Sequence, residues 1–150
     1  MERVQRATRE NLGFLLAKAT QRWNELLAER FAAAGFGEVR PSYGSLLVPL
    51  FEEDGLRMSE LASRARLSKQ TMTTMVRLLE RDGLVRRLPD PRDGRATRVF
   101  LTARARAFHP VAERVLAELD ELVAARLSPT DLDRLRAMLK GVMSLCSPVP

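Results

Sequence analysis

The sequence predicts a mainly α-helical fold of about six helices, interrupted once by a two-stranded β hairpin. Three observations lead there. Apolar residues recur at helical spacing along most of the 150 residues. Two short helical stretches stand in tandem between positions 59 and 81, separated by a short turn. Between 84 and 101 the period changes to that of strands, around a segment holding two prolines, two aspartates and a glycine.

From about Val4 to Ala33, Leu12, Leu16, Ala19, Trp23, Leu26 and Leu27 form one apolar helical stripe, stopped by Gly35 and Gly37. After Pro41, a good first-turn residue, Leu46, Leu47, Leu50 and Phe51 predict a buried helix up to Glu53-Asp54-Gly55, with a kink at Pro49. A short helix over Ser59–Ala65 follows. A longer one starts after Ser68, whose hydroxyl can accept an orphan N–H of the first turn. Its core stripe is Met72, Met75, Val76 and Leu79; Gln70, Thr74, Arg77 and Arg81 project the other way, and Asp82-Gly83 ends it.

Leu84–Leu88 and Ala96–Leu101 then predict the hairpin strands. In the connection the prolines fix φ and Gly94 is expected to supply a positive φ. Thr102 caps a long helix with Phe108, Val111, Val115, Leu119, Leu122 and Val123 on one stripe and Pro110 expected to bend it. Ser128-Pro129-Thr130-Asp131 restarts the chain as a last helix, expected to bury Leu132, Leu135, Leu139, Val142 and Met143.

Composition narrows the class. With 45% hydrophobic residues the chain can bury a core without a covalent staple. The one cysteine, Cys146, cannot close an intramolecular disulfide; lacking a clear basic neighbour, it is expected to be structural or incidental. No stretch approaches the roughly 18 apolar residues of a membrane span. The short apolar run Leu12–Ala17 follows Glu2 and Glu10 without a small-residue cleavage pattern, so no signal peptide is expected. The expected location is the reducing cytoplasm.

The formal charge is +6, and it is uneven. Residues 64–106 hold twelve Lys/Arg against four Asp/Glu, leaving +8, whereas the other residues hold 13 basic and 15 acidic groups, leaving −2. A basic block in one central segment is the footprint of a nucleic-acid-facing module. The alternative is an arginine-rich solvated surface.

Helix, turn, helix, then basic hairpin is the order of a winged helix-turn-helix, whose second helix enters the major groove while the hairpin reaches the neighbouring backbone or minor groove. The candidate reading residues are Ser68, Lys69, Gln70, Thr71, Thr73, Thr74 and Arg77: Gln suits adenine, Arg suits guanine, and Thr suits a phosphate or a thymine methyl. The segments Ser59-Glu60-Leu61-Ala62, 68–85 (SKQTMTTMVRLLERDGLV) and Asp90-Pro91-Arg92-Asp93-Gly94-Arg95 with Leu101-Thr102 resemble the MarR family. The resemblance is specific in this central third and compatible elsewhere.

It implies that Asp90, Arg92 and Arg95 form the wing, with the arginines at the minor groove or its phosphates. Asp90 would repel phosphate and is expected to orient an arginine and shape the turn. The resemblance also implies a homodimer, making 4–34 and 103–146 a helical dimerisation region from both termini and 41–101 the DNA-binding lobe of a single domain. Apolar stripes on all three terminal helices agree, being more than one small lobe can cover; the alternative is that they pack on each other within one chain. A dimer implies a pseudo-palindromic operator with half-sites about 10 bp apart or a multiple of it.

Relatives released from DNA by small aromatic acids suggest a small aromatic or anionic effector, with Trp23, Arg40 and Tyr43 as candidate lining. Other relatives sense oxidants through a cysteine near the N-terminus, which this sequence lacks. No catalytic residue, metal or cofactor is expected: His109 is the sole histidine, and no Cys/His cluster, G-x-S-x-G or phosphate-binding Gly-rich loop occurs. The rival to a DNA-binding regulator is a winged-helix ligand-sensing or protein-interaction module without specific DNA binding.

Overall fold

Asn11 decides where the first helix begins. In the computed structural model, which describes residues 8–145, its side-chain oxygen accepts the Gly13 N–H at 2.9 Å and starts α1 (Leu12–Ala33). Residues 8–11 are therefore not helical, a later start than predicted, and residues 4–7 and Cys146 lie outside the described residues. Gly35, at φ +89°, closes α1, and the Phe36 N–H reaches the Phe31 carbonyl at 2.8 Å.

The chain divides into two compact units, one ending at Ala112 and one beginning at Glu113. In the first, a 3-10 turn at Pro41–Tyr43 leads into α2 (Gly44–Glu52), which buries Leu46, Leu47 and Leu50. Pro49 sits inside α2 without ending it. There follow β1 (Leu56–Arg57), α3 (Met58–Ala65), α4 (Lys69–Arg81), β2 (Val85–Pro89), β3 (Thr97–Leu101) and α5 (Ala103–Arg126), which runs through the boundary. Arg66 ends α3 at φ 55°, in the left-handed region.

Sequence reasoning missed β1. The sheet is antiparallel in the order β1-β3-β2, with Leu56 opposite Val99 and Arg57 opposite Arg98, and with β2 and β3 paired from Val85↔Leu101 to Pro89↔Thr97. Leu56, Val85, Val99 and Leu101 are buried, and Met72, Val76 and Leu79 of α4 join the same core. Phe108 of α5 meets Phe31 edge-on at 4.8 Å and Phe36 at 5.3 Å. Such pairs add about 0.5–1.5 kcal/mol beyond burial. Arg104 lies over the Phe36 ring at 3.9 Å and bonds Glu38 at 2.6 Å, tying the start of α5 to the loop after α1. Thr102 caps α5 as predicted, accepting the Ala105 N–H at 3.2 Å, and Pro110 lies within α5 without interrupting it.

In the second unit Ser128 caps α6 (Pro129–Met143) through the Asp131 N–H at 3.0 Å, and Arg136 bonds Asp120 of α5 at 2.5 Å. Val115 and Leu119 are buried. The expectation that α6 buries its stripe is corrected: none of its residues is buried, and Met138 and Met143 are 62% and 61% exposed. Leu122, on the α5 stripe, and Leu12, on the α1 stripe, are likewise exposed. An apolar stripe is buried only where a second surface covers it, and among the described residues Leu132, Leu135 and Val142 of the α6 stripe are only partly covered.

Two glycines at positive φ separate backbone strain from steric contact. A Cβ added at Gly35 would meet open space, whereas a Cβ at Gly55 (φ +71°) would lie 2.7 Å from Cε1 of Phe100. Gly35→Ala is expected to cost only the left-handed strain, about 1 kcal/mol, and Gly55→Ala that plus the clash, about 2–4 kcal/mol together. Urea unfolding of the two variants measures the difference, and equal costs would show that the Phe100 ring simply moves aside.

Candidate nucleic-acid interface

The helix that the sequence singled out as a candidate for reading DNA is α4. Ser68 is its N-cap: its oxygen accepts the Thr71 N–H at 3.2 Å and its hydroxyl donates to Thr71 Oγ1 at 2.9 Å. With Met72, Val76 and Leu79 turned into the core, Lys69, Gln70, Thr71, Thr74 and Arg77 are exposed or half-exposed and Thr73 is half-buried. The Thr73 and Thr74 hydroxyls donate to the carbonyls of Lys69 and Gln70 at 2.9 and 3.1 Å. These threonines therefore offer outward a methyl group and an acceptor oxygen, and not a free donor.

The wing is built around one carboxylate. Asp90 is the buried polar residue of the described chain, with its side chain fully covered. Its Oδ2 accepts from Nε of Arg57 at 2.8 Å and from Nε of Arg98 at 3.0 Å, and its Oδ1 accepts the Arg92 N–H at 2.8 Å. Arg57 and Arg98 face each other across β1 and β3, where like charges repel, and Asp90 bonded to both offsets that repulsion, leaving the trio cationic. Asp90 thus shapes the turn and orients arginines, but the arginines are Arg57 and Arg98, which the sequence did not single out.

The turn departs from expectation at Gly94, which does not take a positive φ. Carboxylate bonds replace it: Asp93 Oδ1 accepts the Arg95 N–H at 3.0 Å, and the Asp90 N–H closes the loop on the Ala96 carbonyl at 2.9 Å. The arginines just after these two aspartates, Arg92 and Arg95, are exposed.

The reading helix and the wing share a cleft of about 360 Å³ lined by Lys69, Met72 and Thr73 of α4, Arg95 to Thr97 of the wing, and Arg57, Met58, Ser59 and Ala62. Cationic side chains and hydroxyls border it together, a surface suited to an anionic polymer. Among the described residues, no group of three or more His, Cys, Asp or Glu could hold a metal ion.

The candidate effector residues lie elsewhere. Tyr43 is fully buried and its hydroxyl donates to Asp82, Arg40 is exposed but near enough to act electrostatically on both, and Trp23 is half-buried. Tyr43 is thus a core residue with a committed hydroxyl, and none of the three lines the cleft between α4 and the wing.

Residues 41–97 match the model of the MarR family. The chain is 37% identical to the HTH-type transcriptional repressor Rv2887 of Mycobacterium tuberculosis over 95 residues, which are 63% of this chain and 68% of that one. The PcaV transcriptional regulator of Streptomyces coelicolor, solved with its natural ligand, superposes with a TM-score of 0.78 at 23% identity, covering 98% of this chain and 100% of that one. The transcriptional repressor CouR, solved bound to a 23-mer DNA duplex, gives 0.77 at 25% identity, covering 95% and 99%.

Asp90 makes the fold sensitive to acid. The Arg92 N–H and then the charges of Arg57 and Arg98 hold its carboxyl below the ordinary 3.8, against the opposing effect of burial. A carboxylate whose folded value is depressed stabilises above its unfolded value, and that stabilisation is lost as pH falls through the folded value. Asp90→Asn is therefore expected to melt lower than wild type at pH 7, with the gap narrowing as pH falls below about 4. Thermal melts from about pH 7 to about pH 3 check this; a gap independent of pH would show that Asp90 acts through shape and not through charge.

Proposed function

The chain belongs to the MarR family of transcription regulators, and we propose that it is a sequence-specific repressor that binds duplex DNA as a homodimer in the cytoplasm. The carrying observation is the joint surface of Lys69 and Thr73 on the reading helix with Arg95 on the wing, cationic side chains of two elements around one cleft. Like its family, it is a DNA-binding regulator and not an enzyme.

In the proposed complex α4 enters the major groove. Gln70 and Arg77 read base edges, the threonine methyls meet thymine, and Lys69 and Ser68 lie towards phosphate. Arg92 and Arg95 reach the flanking minor groove or its backbone. The complex of CouR with a 23-mer duplex supports the binding of duplex DNA. The exposed apolar residues Met138, Leu139 and Met143 of α6 support dimerisation, because uncovered patches of this kind are costly in water. A dimer spanning two half-sites occludes a promoter, which makes repression the natural outcome. Release by a small aromatic or anionic effector belongs to the same proposal; PcaV, of the same fold, was solved with its natural ligand.

The test is fluorescence anisotropy with a duplex enriched by the wild-type protein from a random pool, against a scrambled duplex, over a salt series. Arg77→Ala is expected to cost about 1–3 kcal/mol on the enriched duplex alone. Arg92→Ala/Arg95→Ala is expected to weaken both duplexes and to flatten the salt dependence by about one unit of slope per lost phosphate contact. Weak binding indifferent to sequence and to the wing arginines would return the protein to the interaction-module reading. Sedimentation equilibrium is expected to give twice the 16.9 kDa of the chain, and Met143→Glu, at an already exposed position, to shift it towards one chain without loss of helicity.

A further inference from the structure

We infer that Tyr43 and Asp82 form a positioning pair that fixes where the reading helix sits along its own axis, an inference that rests on the DNA-reading function proposed above. The two lie 39 positions apart, and the buried Tyr43 hydroxyl donates to Oδ2 of Asp82.

Asp82 is the residue that closes α4. A carboxylate is unfavourably placed there, since the negative end of the helix dipole prefers cations. Backbone capping does not require it, because the carbonyls of Leu79 and Glu80 already accept the N–H groups of Leu84 and Gly83 at 2.9 and 3.0 Å. The carboxylate instead gathers Arg81, at 3.1 and 3.4 Å, and the tyrosine. Burial and then the Asp82 carboxylate hold the Tyr43 phenol above its usual range, while Arg81 and then Tyr43 hold Asp82 below its own. At neutral pH the pair is a neutral donor on a charged acceptor, the stronger kind of hydrogen bond.

The stripe of Met72, Val76 and Leu79 fixes which face of α4 turns inward, but apolar contact is non-directional and permits small slides. A hydrogen bond is directional. From the wing side, the helix end is held by the Thr102 hydroxyl on the Gly83 carbonyl at 2.7 Å and by the Arg87–Glu80 ion pair. Tyr43 holds it from the α1–α2 connection. Without that second tether the reading face can drift by a fraction of an ångström, which base-edge contacts do not tolerate and long phosphate-seeking side chains do.

The experiment measures wild type, Tyr43→Phe, Asp82→Ala, the double variant and Asp82→Asn against the enriched and scrambled duplexes, with thermal midpoints for each. Tyr43→Phe and Asp82→Ala are each expected to bind the enriched duplex about tenfold more weakly and the scrambled duplex within about twofold of wild type. The double variant is expected to lose no more than either single one, and Asp82→Asn, which keeps an acceptor oxygen, to retain most of the affinity. Unchanged binding by Tyr43→Phe, losses that add in the double variant, or equal losses on both duplexes that follow the thermal midpoint would each overturn the inference. A wild-type protein that prefers neither duplex overturns the DNA-reading function itself, and that result is visible before any variant is measured.

Discussion

A single buried carboxylate holds two arginines that would otherwise repel each other. Arg57 and Arg98 stand opposite one another on β1 and β3, and the strands can pair at that position because Asp90 lies between the two guanidinium groups. The covered charge is tolerable only because both of its oxygens are engaged. Its consequences reach in two directions. Through Arg57 it fixes the wing to the residue that precedes α3; through Arg98, which also donates to the Gly55 carbonyl at 2.9 Å, it fixes the wing to the turn before β1. The hairpin is thereby part of a three-stranded sheet and not a free arm.

Because that sheet continues into the core beneath α4, the reading helix and the wing belong to one packed lobe. Val85, Val99 and Leu101 are buried, as are Met72, Val76 and Leu79. The cleft bordered by Lys69, Thr73 and Arg95 follows from this packing: α4 presents its polar face on one side, and the turn stabilised by Asp90 and Asp93 brings its last arginine to the other. Charge is therefore held where the backbone is held, and the proposed contact with DNA is made from a hydrogen-bonded main chain.

The parts of this arrangement that depend on neighbours in sequence were legible there. The Ser68 cap, the inward stripe of α4 and the Ser128 cap are fixed by residues within one to three turns of each other, and the hairpin strands by two runs that flank one turn-forming segment. Pairings across distance were not. Arg57 meets Asp90 over 33 positions and Tyr43 meets Asp82 over 39, and no local period announces either. A two-residue β1 is too short to carry an alternating pattern. Glycine at 94 suggested a positive φ, but two aspartate side chains supply the bonds that shape the turn. The stripe of α6 is periodic in the sequence, yet periodicity says only that a face is apolar and not what covers it.

The wing tip is folded before any partner arrives, with the Arg92 and Arg95 amides bound to carboxylates and the loop closed on the Ala96 carbonyl. A segment ordered in advance has little conformational entropy left to lose on association. In the proposed complex the wing contacts gain from the release of counterions and water, with no opposing cost from the folding of a loop. The heat capacity change on binding accordingly reflects buried surface alone, without the larger signature of coupled folding. On the proposed function, a formed wing also bears on recognition speed: encounters with duplex would meet a formed surface, with no waiting time for a disordered arm to fold.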